Sequence, residues 1–196
     1  MKVATLALFV VTALTGRVEA AKYTIDEGHT HIGFKIKHLG ISSVDGRFRK
    51  FSGNLDYDEK AGKLKFEKFN VDVNSIDTNE PDRDKHLKSK DFFNIEKFPQ
   101  LSFEINNVQY DGKVPSKISG KLTVHGITKD VTLNVTDWGG TAEDPWGNHR
   151  LAFEASGKID RRDFGLTWNQ PLKKAAGLLV GNEVKINISI EAMKSE

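Results

Sequence analysis

Apolar and polar residues alternate through most of the chain, and the pattern is clearest near its end. Val184, Ile186, Ile188 and Ile190 are separated by single polar residues. A period of two places the apolar side chains on one face of a β-strand and the polar ones on the other. The pattern therefore predicts antiparallel strands that cover one interior. It recurs at residues 32–36, 51–57, 101–105, 122–124, 131–135 and 151–159.

Turn-forming pairs of residues separate these runs, as at Asp45-Gly46 and Asp111-Gly112. The apolar register slips by one residue between 64–66 and 69–73, which predicts a β-bulge near Lys68. About eight strands joined by short links are typical of an up-and-down barrel or a β-sandwich. No linker or long repeat divides the chain, so we expect one all-β domain over residues 21–196.

One stretch, residues 79–88, predicts a short helix. Asn79 can cap its N-terminus, and Pro81 suits its first turn. Asp84 and Lys88 stand four residues apart with the acid first, which is a favourable order on an exposed helix face. Because Leu87 is the one aliphatic residue of the stretch, the helix is expected to cover the rim of the sheet rather than fill a core.

The first twenty residues have the features of a secretory signal peptide. Lys2 provides a positive start, residues 3–14 are mostly apolar, and Val18-Glu19-Ala20 offers small residues at a cleavage site. A membrane-spanning helix needs roughly 20 apolar residues, and this run is shorter. We expect residues 1–20 to be removed and residues 21–196 to be periplasmic or secreted. A buried or disordered N-terminal segment is the alternative.

The charge balance argues against several classes of partner. The chain has 29 Lys and Arg and 27 Asp and Glu, and Lys2, Arg17 and Glu19 belong to the expected signal peptide. The mature chain is therefore nearly neutral, without the basic stripe that nucleic acid or an anionic membrane surface would require. We expect no nucleic-acid partner and no membrane-spanning segment. The absence of cysteine also excludes thiol catalysis and iron–sulfur clusters.

Motifs that could carry chemistry are few. His29 and His31 have the spacing of metal ligands on one strand face, but no third ligand is evident nearby, so we expect no metal site. Asp163-Phe164-Gly165 matches the magnesium motif of kinases, but the other kinase motifs are missing from the sequence. We therefore interpret this segment as a turn that buries Phe164. A Ser-His-Asp triad leaves no local sequence pattern. We expect no catalytic residue, no cofactor and no enzyme.

Aromatic residues concentrate on the apolar strand faces, and they could form a packed core or line a cavity. A barrel of about eight strands has room for either arrangement. Composition alone leaves the choice open. The residues expected to line such an interior are Phe34, Ile36, Phe48, Phe66, Phe103, Phe153, Phe164 and Trp168.

A distinctive motif lies at residues 83–93, with the pattern Arg-Asp-x-His-Leu-x-Ser-x-Asp-Phe-Phe. With the segments 38–40, 46–48, 120–129, 144–147 and 163–165, it resembles the YceI-like family of bacterial periplasmic, lipocalin-like proteins that bind polyisoprenoids. The resemblance extends over the whole mature chain in the same order.

The resemblance implies an extended eight-stranded antiparallel barrel whose interior holds an isoprenoid or another amphiphilic lipid. It also implies that rim residues of the helix, Arg83, Asp84 and His86, lie near the polar head of the ligand, although they could equally only tie the helix to the barrel. A homodimer is a further implication. The function expected is sequestration or transport of the lipid, and an enzyme or stress-response factor acting on such a lipid is the alternative.

Overall fold

The computed structural model describes residues 20–172 and 178–195, so the expected signal peptide lies outside the described residues except for Ala20. Within these ranges the helical elements are one α-helix and two short 3₁₀ helices, and the other regular elements are β-strands. The elements are β1 (Ala21–Ile25), β2 (His31–His38), β3 (Ser42–Phe48), β4 (Phe51–Ser52), β5 (Asn54–Asp58), β6 (Lys63–Phe66), β7 (Phe69–Asp72), a 3₁₀ helix (Val73–Ser75), β8 (Ile76–Asp77), α1 (Pro81–Lys88), β9 (Gln100–Asp111), β10 (Val114–Val124), β11 (Ile127–Glu143), β12 (His149–Asp160), a 3₁₀ helix (Arg161–Phe164) and β13 (Val180–Lys194).

All the strands belong to one antiparallel sheet that closes on itself. From β9 to β13 each strand pairs with the next along the chain. β13 then pairs with both β1 and β2, which pair in turn with β5 and β3. The ring closes because β6 pairs with β5, while β7 pairs with β4 on one side and β9 on the other. The prediction of an all-β, antiparallel, lipocalin-like barrel is confirmed.

Thirteen strand segments follow eight strand paths, because three paths are interrupted. β1 and β2 form one path, β3 to β5 a second, and β6 to β8 a third. The predicted strand 51–57 is divided at Gly53, where the ring of Phe69 lies so close that a Cβ would stand 2.7 Å from it. The irregularity predicted near Lys68 is the break between β6 and β7.

The N-cap of the helix lies one residue later than the sequence predicts. Glu80 is the N-cap, and its carboxylate accepts hydrogen bonds from the backbone N–H groups of Asp82 and Arg83. Asn79 instead adopts a left-handed conformation with φ of 61°. Leu87 packs with residues after the helix on a small apolar cluster that contains Phe48. The helix therefore covers one end of the barrel, as the sparse apolar content of the segment predicts.

The interior is packed at one end and hollow over the rest. Around β1, β5 and the end of β13, side chains such as Leu55, Leu151 and Ala192 are almost completely buried and fill the space. Further along the same strands, the inward side chains surround a cavity. Both arrangements left open by the sequence are therefore present in different parts of one barrel. No helix in the described ranges is long and apolar enough to cross a bilayer.

Candidate functional site

The cavity inside the barrel has a volume of about 390 Å³. Its wall is built from alternate residues of the long strands, so that the period-two pattern of the sequence becomes a continuous apolar surface. On β13, for example, Val184, Ile186, Ile188 and Ile190 all border it. Such a shape, concave and mostly apolar with a few polar groups, is typical of a site for a small apolar molecule.

The eight residues expected in the lining all lie on this wall. They are Phe34, Ile36, Phe48, Phe66, Phe103, Phe153, Phe164 and Trp168. Several of their rings pack on one another, with centroids 5.8 Å apart for Phe34 and Phe48 and 6.0 Å apart for Phe66 and Phe153. These contacts fix the shape of the wall. That these side chains contact a ligand stays a prediction.

A glycine leaves room for one of these rings. Phe34 on β2 pairs across the sheet with Gly46 on β3. A Cβ placed on Gly46 would stand only 2.3 Å from the tip of the Phe34 ring. The absence of a side chain at Gly46 therefore sets the position of the ring, and with it the local width of the cavity.

The ionisable side chains of the described wall are concentrated at one end, which we call the mouth. It is formed by Lys37, His38, Arg83, His86 and Arg161. Lys37 is exposed and His86 is about two-fifths exposed, so the cavity meets solvent here. The residues of the mouth come from the end of β2, from α1 and from the 3₁₀ helix 161–164. A ligand with an apolar tail and a polar head would place its head at this end.

Two of the three expected head-group residues are held by a single partner, Thr78. Arg83 donates from Nε to the Thr78 hydroxyl and from Nη2 to its carbonyl oxygen, each at 2.8 Å. Asp84 accepts from the Thr78 backbone N–H at 2.9 Å and from its hydroxyl at 2.6 Å. These bonds tie α1 to the end of β8. Arg83 also borders the cavity, whereas the Asp84 carboxylate is directed to Thr78.

The third expected residue, His86, joins an aromatic cluster at the mouth. Its ring packs edge-on against Phe92 and Trp168, with centroid distances of 5.1 and 4.9 Å. Its Nε2 lies 2.9 Å from a carboxylate oxygen of Asp91. The structure thus brings Arg83 and His86 to the cavity and places Asp84 behind them. Their role in binding a head group stays a prediction.

Sequence reasoning missed three residues of the mouth, Lys37, His38 and Arg161, of which Arg161 is the most buried. Only 3% of this residue is exposed. Its Nε donates to the Gly181 carbonyl at 2.9 Å, and its Nη1 donates to the carbonyls of Leu166 and Trp168, the latter at 2.9 Å. Burial lowers the pKa of its guanidinium. The sequence offered only a weak signal, an arginine pair between two aspartates in a segment interpreted as a turn.

The histidine pair considered as metal ligands is separated in the structure. His31 begins β2, while the Nδ1 of His29 lies 2.8 Å from a carboxylate oxygen of Asp26. Asp26, His29 and Glu191 lie close enough together to hold a metal ion. Nη1 of Arg150, however, already donates to Asp26 at 2.8 Å and to Glu191 at 2.6 Å. The guanidinium supplies the positive charge that this carboxylate pair requires.

Comparison with known proteins places this geometry in a family. Residues 23–192 match the YceI-like domain. A UPF0312 protein of Enterobacter sp. (strain 638) is 42% identical over 184 residues, which cover 93% of this chain and 91% of that protein. Protein YceI of Salmonella arizonae is 41% identical over 184 residues, covering 93% and 92%.

Solved structures have the same fold. The YCEI protein of Campylobacter jejuni superposes with a TM-score of 0.67 at 32% identity, covering 89% of this chain and 98% of that one. A polyisoprenoid binding domain from Saccharophagus degradans, implicated in plant cell wall breakdown, superposes with a TM-score of 0.60 at 15% identity, covering 90% and 99%. The second likeness concerns the fold alone. The chain belongs to the YceI-like family.

Proposed function

We propose that this protein binds one long-chain apolar ligand in the barrel cavity, a polyisoprenoid, a quinone-like molecule or a fatty amphiphile, and sequesters or carries it in the periplasm. The observation that carries the proposal is the cavity of about 390 Å³, with apolar walls and polar groups gathered at one mouth. The polyisoprenoid binding domain of Saccharophagus degradans, which has the same fold, supports a lipid-binding role.

The energetics suit a reversible carrier. Each buried methylene contributes about 0.8 kcal/mol, so a long chain gains enough to be held inside the barrel. Ordering of the chain and imperfect contacts offset part of this gain. We therefore expect a dissociation constant below about 1 μM, short of the tightest complexes known.

A binding protein fits the site better than an enzyme acting on a lipid. The ionisable side chains on the described part of the wall are Lys37, His38, Arg83, His86 and Arg161, and they gather at the mouth. An enzyme would require a reactive group beside the bond to be changed, together with neighbours that activate it. On the described wall, the depth of the cavity adds no ionisable group to these five. We therefore place the carrier ahead of an enzyme or a stress-response factor.

Lipid extraction and mass spectrometry of protein purified from its native host test the proposal directly. We expect one class of long-chain lipid in near-stoichiometric amount, and uptake of a polyprenol or palmitate by protein stripped of lipid. The control is a surface variant such as Glu104→Gln, because Glu104 is exposed on the outer face of β9. Protein that carries no lipid, and that takes up neither ligand after stripping, would refute the proposal.

Export and oligomeric state are parts of the proposal that need their own measurements. If residues 1–20 direct export, intact-mass analysis of the periplasmic protein should give a chain that begins at Ala21. A full-length cytoplasmic chain would exclude this location. The homodimer implied by the family resemblance stays a prediction, and light scattering at high micromolar concentration tests it.

A further inference from the structure

We infer that Arg161 binds the polar head of the ligand and that this head is an anion, a carboxylate or a phosphate group. The inference rests on the proposed function, because it concerns the polar end of the molecule whose tail fills the cavity. It arises from the surroundings of a buried cation at the mouth.

The positive charge of Arg161 has no carboxylate partner among the described residues. The neighbouring acid, Asp160, is bound to the exposed Arg162, whose Nη2 lies 2.5 Å from its carboxylate. Arg161 is instead surrounded by backbone carbonyl groups, which offer dipoles but no net negative charge. A buried ion that lacks a counter-ion is costly in an apolar environment. A ligand that brings a negative charge to this place would remove that cost.

The guanidinium also retains hydrogen-bonding capacity. An arginine side chain has five N–H donors. Carbonyl oxygens of Gly181, Leu166 and Trp168 accept from Nε and from Nη1. Nη2 carries two further hydrogens, and its contact among the described residues is a long one of 3.5 Å to the side-chain oxygen of Asn182. At least one N–H of Nη2 therefore has no acceptor among the described residues and can donate to a ligand oxygen.

The other charged groups of the cavity wall have the same sign. Lys37 and Arg83 carry positive charges, and His38 and His86 contribute imidazole nitrogens. The described part of the wall contains neither aspartate nor glutamate. Arg161 lies at this mouth because its Nη1 binds the carbonyl of Trp168, whose ring packs on His86. A uniformly basic mouth above an apolar cavity is complementary to a long-chain anion.

A set of ligands with one chain length and different heads tests the inference. The probes are palmitate, hexadecanol and hexadecylamine, measured by displacement of a fluorescent fatty acid at low salt. Because hydrogen bonds to charged groups are stronger than neutral ones, we expect wild-type protein to bind palmitate about tenfold or more tightly than hexadecanol. Hexadecylamine should bind most weakly. Acetate and inorganic phosphate alone should not compete, which separates a lipid head from a free anion.

Two variants locate the effect. Arg161→Met should abolish the preference for palmitate while its affinity for hexadecanol stays close to that of wild type. Lys129→Met removes an equal charge from an exposed residue of β11 outside the cavity wall and should keep the preference. Equal loss of preference in both variants would show that general charge, and not Arg161, selects the head.

A measurement on the wild-type protein covers the case in which Arg161→Met fails to fold. Palmitate labelled at its carboxyl carbon reports its own ionisation by NMR when bound. A guanidinium beside the carboxyl group lowers its pKa below that of an exposed carboxylate, about 4.3, whereas an apolar site without a cation raises it. A raised value, or three probes that bind equally, would overturn the inference and leave the proposed function intact. If none of the three probes binds and a polyprenol is not taken up either, the proposed function itself fails; if a neutral polyprenol alone binds, only the inference of an anionic head is overturned.

Discussion

Replacing Gly46 with alanine should narrow the cavity through a single methyl group. The new Cβ would stand 2.3 Å from the tip of the Phe34 ring, and ordinary contact begins at 3.4 Å, so the ring must move by at least 1.1 Å. Packing against Phe48 restricts the ring on one side. The cavity offers the free space, so we expect the ring to move into it.

The size of the effect follows from this displacement. Overpacking destabilises the folded barrel by about 1–3 kcal/mol. Alanine also restricts the unfolded chain, which offsets about 0.4–1 kcal/mol of this loss. We therefore expect Gly46→Ala to lower the free energy of unfolding by about 0–2.5 kcal/mol, and the barrel should still fold. If the displaced ring excludes one or two methylenes of the ligand, at about 0.8 kcal/mol each, affinity falls about 4–15-fold.

Urea unfolding measures the first quantity, and displacement of a fluorescent fatty acid measures the second. The matched control is Gly139→Ala on β11, where the new methyl group meets the Ala152 carbonyl at 3.2 Å and lies away from the cavity wall. The control should lose a little stability and no affinity. A folded Gly46→Ala variant with wild-type affinity would refute the reasoning, because the ligand would then not reach the space beside Phe34.

Three further predictions follow from other parts of the structure. Phe103→Arg points a charge into the cavity and should expel the lipid while the barrel stays folded. Glu104→Arg, on the outer face of β9, should keep its lipid. Equal lipid content in the two variants by mass spectrometry would contradict this prediction. The hydrogen bond from Arg150 holds the pKa of Asp26 at about 2, below its ordinary value of 3.8, so this pair should stabilise the fold above pH 3.8 and lose its effect as pH falls to 2. Urea unfolding across that range should show a shallower decline in Arg150→Met, and an unchanged decline would exclude the pair as its source. Arg83→Ala loses the bonds to Thr78 and should lower the free energy of unfolding by about 1–3 kcal/mol, while the preference for one ligand head over another stays intact. Unchanged stability with loss of polar-headed ligands would instead assign the head-group site to Arg83.

The barrel was predictable because its pattern is local. Alternation at 184–190 is a property of consecutive residues, and it marks the inward face of β13 whatever lies opposite. The interruption at Gly53 depends instead on Phe69, which comes from another strand path, so nothing near Gly53 in the sequence announces it. The sequence predicts the number of strand paths, about eight, but not their division into thirteen segments.

The cavity and its mouth were less accessible to sequence reasoning for the same reason. Whether Phe66 and Phe153 fill the interior or border a hollow depends on the spacing of the strands around the ring, which is a property of the closed barrel. Arg161 follows a strand and opens a 3₁₀ helix, a position where arginine is usually exposed. The return of β13 at Gly181, together with Leu166 and Trp168, buries it. The family resemblance pointed to residues of the helix, and the three-dimensional arrangement shows that Arg161 lies at the same mouth.

The size of the cavity bears on how a ligand is released. Unfilled apolar volume costs roughly 24 cal/mol per Å³, so about 390 Å³ corresponds to an upper bound of about 9 kcal/mol, since water can enter at the mouth. The whole stability of a domain is about 5–15 kcal/mol. A ligand that fills the cavity removes part of this cost, and by binding the folded state it also favours the liganded barrel over the empty one. Release into water exposes the lipid tail and leaves the cavity unfilled at the same time. Transfer is favourable only when an apolar acceptor takes the tail as it leaves, which requires the acceptor to meet the mouth where Lys37 and His86 reach solvent.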